Sequence, residues 1–158
     1  MIRFGLMNRG QFPVGGNAVQ HWREMLEQVR WAETTGFNSI MKGSHYSTHP
    51  LTEFQQVPFL SRIMDEAPSQ RLIAGVVLLP LHKPLDIAEQ FANIDVMSGG
   101  RLIFGVGIGY REVEFRAFGS TMKDAGPRLE EGLEASKRLW SEDKVSMRGS
   151  HFELIEAT

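Results

Sequence analysis

Proton chemistry in this chain falls to histidine, because the sequence holds five histidines and no cysteine. The missing cysteine removes disulfides, thiolate metal sites and a cysteine nucleophile. An imidazole titrates near pH 6.5, which suits a general acid or base at neutral pH. His45 stands out among the five. It lies in Gly43-Ser44-His45-Tyr46, directly after a segment that reads as a strand, and α/β folds place working side chains in the loops that follow strands. An ordinary loop histidine is the plainer alternative. His21, His49, His82 and His151 show no H-x-x-x-H or similar ligand spacing, so no metal site is expected.

A second stretch concerns ligand approach rather than proton transfer. Ser98-Gly99-Gly100-Arg101-Leu102-Ile103-Phe104-Gly105-Val106-Gly107-Ile108-Gly109 reads as a helix stop, a short apolar strand and a glycine-punctuated loop. Gly99 and Gly100 suit the positive-φ conformations that end a helix. Leu102 to Val106 is a continuous apolar run, as expected of a parallel strand covered on both faces. Gly105, Gly107 and Gly109 remove side chains where strand becomes loop, so a flat ligand can approach the backbone. Their G-x-G-x-G spacing, followed by the charged stretch Tyr110-Arg111-Glu112-Val113-Glu114, is a poor dinucleotide fingerprint.

These residues need elements to position them. Ile2 to Met7 is predicted as a strand, followed by a polar loop through Asn17. Trp22, Met25, Leu26, Val29 and Ala32 have helical spacing, with Gly36 as the stop. Phe37 to Met41 reads as a second strand, then a loop rich in His, Ser and Thr up to Pro50. A second helix is expected from near Pro58, a residue suited to a first helical turn, to about Glu66. Leu72 to Leu79 is a third strand. Pro84 opens a third helix with Ile87, Ala88, Phe91, Ile94 and Met97 facing inward. The fourth strand is the glycine-flanked run, and Pro127 to Trp140 is a fourth helix with Leu129, Leu133, Ser136 and Trp140 aligned. Val145 to Leu154 reads as a hairpin turning at Gly149-Ser150. Met7, Asn8 and Phe12 follow the first strand and are candidates for a substrate pocket or for core. This βα rhythm, repeated about four times with short connections, gives an α/β class with parallel strands.

The 158 residues, 42% hydrophobic with net charge −2, suffice for one domain over 1–158 with a real core. No Lys/Arg block suggests nucleic acid or an anionic membrane surface. No apolar run approaches a membrane span of roughly 18–20 residues. Met1-Ile2-Arg3-Phe4-Gly5 lacks the charged head and apolar segment of a signal peptide, which makes a cytoplasmic protein the default expectation.

Three segments in order along the chain resemble the bacterial-luciferase-like flavin monooxygenase family. They are Gly75-Val76-Val77-Leu78-Leu79-Pro80 with His82-Lys83-Pro84; Asp95-Val96-Met97-Ser98-Gly99-Gly100-Arg101-Leu102; and Phe104-Gly105-Val106-Gly107 running into Glu114-Phe115-Arg116-Ala117-Phe118-Gly119. The resemblance implies a TIM-type (β/α)8 barrel, commonly dimeric, that binds FMN or the deazaflavin F420. A complete barrel takes about 250 residues, so the expectation is an N-terminal half barrel of about four βα units plus the C-terminal hairpin. Its first and fourth strands would be open edges. Either the chain is a truncated product, or it completes itself with another chain.

The resemblance also implies roles. His45 would sit beside the flavin and manage a proton. Ser44 stands where the family often has an acidic residue, and is taken as a cofactor contact. Lys42 stands where an apolar residue is usual. Gly75-Val76 corresponds to a strand bulge, often a non-proline cis peptide, that props the isoalloxazine ring; a plain buried strand is the alternative. Gly105 and Gly107 complete the expected cofactor face. Ile108 replaces a frequent arginine, for which Arg111 is a substitute or simply a solvated loop residue. Glu89 and Phe91 match a dimer-contact region or else pack on the barrel. The implied reaction is oxidation of a small organic substrate by reduced FMN and O2, with an NAD(P)H–flavin reductase acting in trans. F420-dependent hydride transfer and a non-catalytic assembly or flavin-sequestering module are the alternatives. A homo-oligomer or a complementing half barrel is the expected assembly.

Overall fold

Strand-length apolar runs separated by amphipathic helices build one parallel sheet in the computed structural model, which describes residues 2–158. The sheet strands are β1 (Gly5–Asn8), β3 (Ser39–Lys42), β5 (Arg71–Leu78) and β6 (Leu102–Gly107), in the order β1-β3-β5-β6. Pairing is parallel and in step, from Gly5 opposite Ser39 and Ser39 opposite Arg71. Strand order thus follows chain order, as in half of a (β/α)8 barrel, and β1 and β6 are the edges.

Chain packing divides into two units. The first comprises residues up to 77 with 94–105; the second comprises 78–93 with 106–158.

In the first unit, α1 (Ala18–Thr34) starts at Asn17, whose side chain accepts the Gln20 amide at 3.1 Å. Met25, Leu26, Val29 and Ala32 are its buried stripe, as the spacing predicts. α2 spans Gln56–Ile63 and begins two residues before Pro58, which occupies the third helical position. The proline still lies in the first turn, where no intrahelical N–H bond is lost. Gln11–Pro13 (β2) and Leu51–Glu53 (β4) form an antiparallel ribbon inside segments that read as loop. Aromatic contacts lie beneath it: Phe12 stacks on His21 at 4.0 Å, and Phe54 meets Trp22 at 5.7 Å.

α3 (Pro84–Met97) buries Ile87, Ala88, Phe91 and Ile94, but Met97 is 62% exposed. Gly99 and Gly100, with φ of +70° and +78°, turn the chain one residue after Met97, and the Gly100 amide closes the helix end on Asp95 O at 2.8 Å. Phe91 is core rather than surface, whereas Glu89 is exposed. β6 is also less covered than its apolar run suggests. Ile103 is 43% exposed, because an edge strand has a neighbour on one side only.

The Ser98-to-Arg101 segment owes its form to the arginine. Arg101 donates from Nε to Ser98 O at 2.6 Å, from Nη1 to Ala67 O and Gln70 O at 2.7 and 2.8 Å, and from Nη2 to Met64 O at 2.9 Å. One guanidinium therefore satisfies carbonyls left open past the end of α2 and at the turn after α3. An Arg101→Lys variant keeps the charge and loses the planar fork. It is expected to lower unfolding free energy by about 2–3 kcal/mol, read from urea denaturation; an unchanged midpoint would remove this role.

In the second unit, α4 (Glu112–Ala117) occupies a stretch whose charges read as loop. α5 (Ala125–Leu139) was expected to bury Leu129, Leu133, Ser136 and Trp140. Of these only Ser136 is buried, and the other buried positions are Ala125, Gly132 and Ala135. Close approach explains the shift: a Cβ on Gly132 would stand 3.3 Å from Leu79 Cγ and 3.7 Å from Phe152. Trp140 is half in solvent, with its indole N–H on Ala88 O at 3.0 Å. β7 (Val145–Arg148) and β8 (Glu153–Ala157) form the predicted hairpin. The Glu131 carboxylate anchors its turn by accepting the Ser150, His151 and Phe152 amides at 2.9, 2.9 and 3.3 Å. No helix among the described residues is long and apolar enough to cross a membrane.

Candidate functional site

The carboxyl ends of β1, β3 and β5, with the first half of β6, bring most of the expected site residues into the first unit. β3 ends at Lys42, and a loop follows through Gly43, Ser44 and His45. Lys42 fits poorly on the apolar side of a strand, yet its side chain is 0% exposed. Its Nζ donates to Glu53 Oε1 at 2.7 Å, Gly43 O at 3.0 Å and Arg9 O at 3.1 Å. All three ammonium donors are therefore used. Burial pushes the Lys42 pKa below its ordinary value, against the opposing hydrogen bond and charge of Glu53. The other Glu53 oxygen accepts Gln11 Nε2 at 2.9 Å, so the β2–β4 ribbon is fastened to the end of β3.

Ser44 is buried and its hydroxyl faces Gln55 Oε1 at 3.4 Å. His45 is half-buried, and its carbonyl accepts Gln55 Nε2 at 2.9 Å. Gln56 Nε2 donates to Lys42 O at 2.7 Å and to Val76 O at 3.2 Å, which joins the ends of β3 and β5.

The Gly75–Val76 peptide is cis. A Cβ on Gly105 would stand 2.8 Å from Ala74 O and 3.9 Å from Gly75 Cα. Here β5 and β6 therefore run close together, and the Met41 side chain fills the place that a Cβ on Gly75 would take. A Cβ on Gly43 would lie 3.7 Å from Gly75 O, which brings the loop after β3 to the same place. Val76 beside it is 41% exposed. Closely packed backbone, one exposed apolar side chain and a polar loop carrying a hydroxyl and an imidazole fit a flat, partly polar ring.

Other expected residues lie elsewhere. Gly107 ends β6 and belongs to the second unit. Asn8 is buried against Gln28 at 3.3 Å and Phe12 is part of the ribbon's aromatic contacts, so neither is open pocket lining. Arg111 is not a solvated loop residue: it is the N-cap of α4 and pairs with buried Glu114 at 3.1 Å. His82 is held below the ordinary imidazole range by burial, with Asp86 opposing, and meets the Phe118 ring at 5.5 Å. At the opposite, amino-terminal ends of the first unit's strands lies a cavity of about 480 Å³ with Arg3 and Arg71 on its wall. Barrel folds do their chemistry at the other end.

The profile of the family described as luciferase-like monooxygenase matches residues 2–158. The chain belongs to the luciferase-like monooxygenase family. Among its relatives is 4-hydroxyprotoasukamycin monooxygenase of Streptomyces nodosus subsp. asukaensis, 30% identical across 99% of this chain and 42% of that protein. The F420-dependent glucose-6-phosphate dehydrogenase of Amycolatopsis mediterranei (strain U-32) is 28% identical across 85% of this chain and 43% of its own length. In fold, the luciferase-like chain is similar to the oxygenating constituent of 3,6-diketocamphane monooxygenase from Pseudomonas putida. The TM-score is 0.88 at 17% identity, covering 96% of this chain and 43% of that structure, which was solved with FMN. The chain thus spans less than half the length of these relatives.

Glu53, Gln55 and Gln56 are the site-forming residues that sequence reasoning missed. The one available signal was Lys42 itself, a charge at the end of an otherwise apolar strand.

Proposed function

We propose that residues 1–158 form one incomplete domain, the N-terminal half barrel of a flavin-dependent oxygenase, and supply its cofactor face. The observation that carries this reading is exposed Val76 where Gly105 passes close to β5, beside a loop that carries buried Ser44 and half-buried His45. FMN, once reduced, supplies the electrons that let O2 oxidise a small organic substrate. Gly75, Val76 and Gly105 receive the face of the ring. Ser44 offers a hydroxyl to its polar edge. His45 gives or takes a proton through its imidazole.

An NAD(P)H–flavin reductase in trans, a cytoplasmic setting and a homo-oligomer or complementing half barrel complete the reading. The Amycolatopsis relative supports a second version, in which F420 takes the place of FMN and the reaction is hydride transfer.

Parallel fluorescence titrations of the protein with FMN and with F420 test this. Saturable one-to-one binding of FMN, with F420 at least about 10-fold weaker, is the expected result. The reverse preference would replace FMN by F420. Binding of neither would overturn a cofactor face on this half of the barrel.

A further inference from the structure

Four consecutive residues at the candidate site are each gripped by a neighbouring side chain. Lys42 O accepts Gln56 Nε2, and Gly43 O accepts Lys42 Nζ. Ser44 Oγ faces Gln55 Oε1, and His45 O accepts Gln55 Nε2. Gln56 has a second acceptor in Val76 O. Two adjacent glutamines therefore account for three of the four grips and for the link across to β5.

Their place on α2 makes the arrangement rigid. Gln55 is the N-cap residue and Gln56, only 5% exposed, is the first residue of the helix. An N-cap side chain ordinarily accepts an amide of its own helix, and residues without that bond leave the helix less stable by about 1 kcal/mol. Gln55 makes no such bond. Its carbonyl and amide are both directed at Ser44 and His45 instead. Both Gln56 contacts leave from one NH2 group, which carries two donors and so reaches two strand ends at once.

We infer that Gln55 and Gln56 are positioning residues: Gln55 fixes the backbone that carries His45, and Gln56 fixes Val76 relative to the end of β3. The inference rests on the reading of His45 and Val76 given above. It separates two functions that a single rigid loop would merge. Gln55 acts through the proton-handling residue, and Gln56 through the ring-binding surface.

The test uses Gln55→Met, Gln55→Glu and Gln56→Met in the whole protein. Gln55→Glu keeps the shape and an acceptor for Ser44 but has no donor for His45 O, so it decides the matter should the methionine variant fold poorly. Amide hydrogen exchange without cofactor is read first. Both Gln55 variants are expected to exchange the amides of residues 44–46 at least about 10-fold faster, with α1 amides unchanged. In turnover, Gln55→Met is expected to lower kcat about 10- to 100-fold with KM unchanged. Added to His45→Ala, it should cost nothing more. Gln56→Met is expected to raise the FMN Kd about 10-fold and to multiply with His45→Ala.

Wild-type exchange at residues 44–46 in both Gln55 variants would overturn the clamp. A Gln55 loss that multiplies with His45→Ala would overturn positioning through His45. Faster exchange together with normal turnover of His45→Ala would support the clamp and remove His45 from the chemistry, which separates failure of the inference from failure of the functional reading.

Discussion

Glu53→Ala is expected to destabilise the protein by about 3–5 kcal/mol at neutral pH, among the largest losses a single side chain here can cause. The magnitude follows from what remains behind. Lys42 and Glu53 have side chains 0% and 2% exposed, 2.7 Å apart. Removing the carboxylate leaves a buried ammonium with no counter-charge and only two carbonyls to hold it. The β2–β4 ribbon also loses its fastening through Gln11.

The pH dependence distinguishes this cause from simple loss of packing. Burial already holds the folded-state pKa of Lys42 below its ordinary value, while Glu53 raises it. Without Glu53 only the lowering influence is left, so the folded pKa drops further. Between that lowered pKa and the unfolded value of about 10.4, the unfolded chain binds more protons than the folded one, and stability rises with pH. Urea unfolding of Glu53→Ala should therefore recover stability from pH 7 towards pH 10, more steeply than wild type. The double variant Lys42→Met/Glu53→Leu should return to within about 1–2 kcal/mol of wild type. A flat pH response in Glu53→Ala would mean that Lys42 is not the charge left exposed to burial.

His45→Ala carries the largest expected effect on activity. Loss of a general acid or base costs about 10²- to 10⁴-fold in turnover, and the FMN Kd should stay within about 3-fold of wild type because Val76, Gly75 and Gly105 are untouched. The loop geometry supports this division of labour. His45 is held by its carbonyl, through Gln55, a backbone contact that the alanine variant keeps. Stopped-flow turnover with reduced flavin reads the first number and fluorescence titration the second. Unchanged turnover would remove His45 from the mechanism; a matching rise in Kd would make it a binding residue.

Much of the scaffold was legible because large apolar residues recur at the period of their element. The buried stripe of α1, four of five inward positions of α3 and the turn at Gly149 follow from spacing and glycine placement, and the order of the parallel strands from the family resemblance. Spacing misled where small residues make the contact. In α5 the leucines suggested one face, but Gly132 and Ala135 let Leu79 come close, and volume rather than hydrophobicity decided. β2 and β4 were invisible because three residues cannot show an alternating pattern, and their partners lie about 40 positions apart in sequence. At the candidate site, His45 was singled out by its position after a strand and Ser44 through the family resemblance. Glu53, Gln55 and Gln56 look like solvated loop residues in sequence. Only the folded chain shows that their polar groups are turned inward to carbonyls and a buried ammonium.

Because residues 42–45 are held at one end and Glu53, Gln55 and Gln56 do the holding at the other, the connection between β3 and α2 is tied down twice. The register Gln11–Glu53, Phe12–Thr52 and Pro13–Leu51 leaves no slack at its far side either. The tip is tied as well, because Thr48 Oγ1 donates to Leu51 O at 2.9 Å and Pro50 O accepts the Val14 amide at 2.9 Å. In evolutionary terms, insertions or deletions between His45 and Glu53 would move a carboxylate or an amide off its target, so libraries in this chain should keep the number of residues between them fixed.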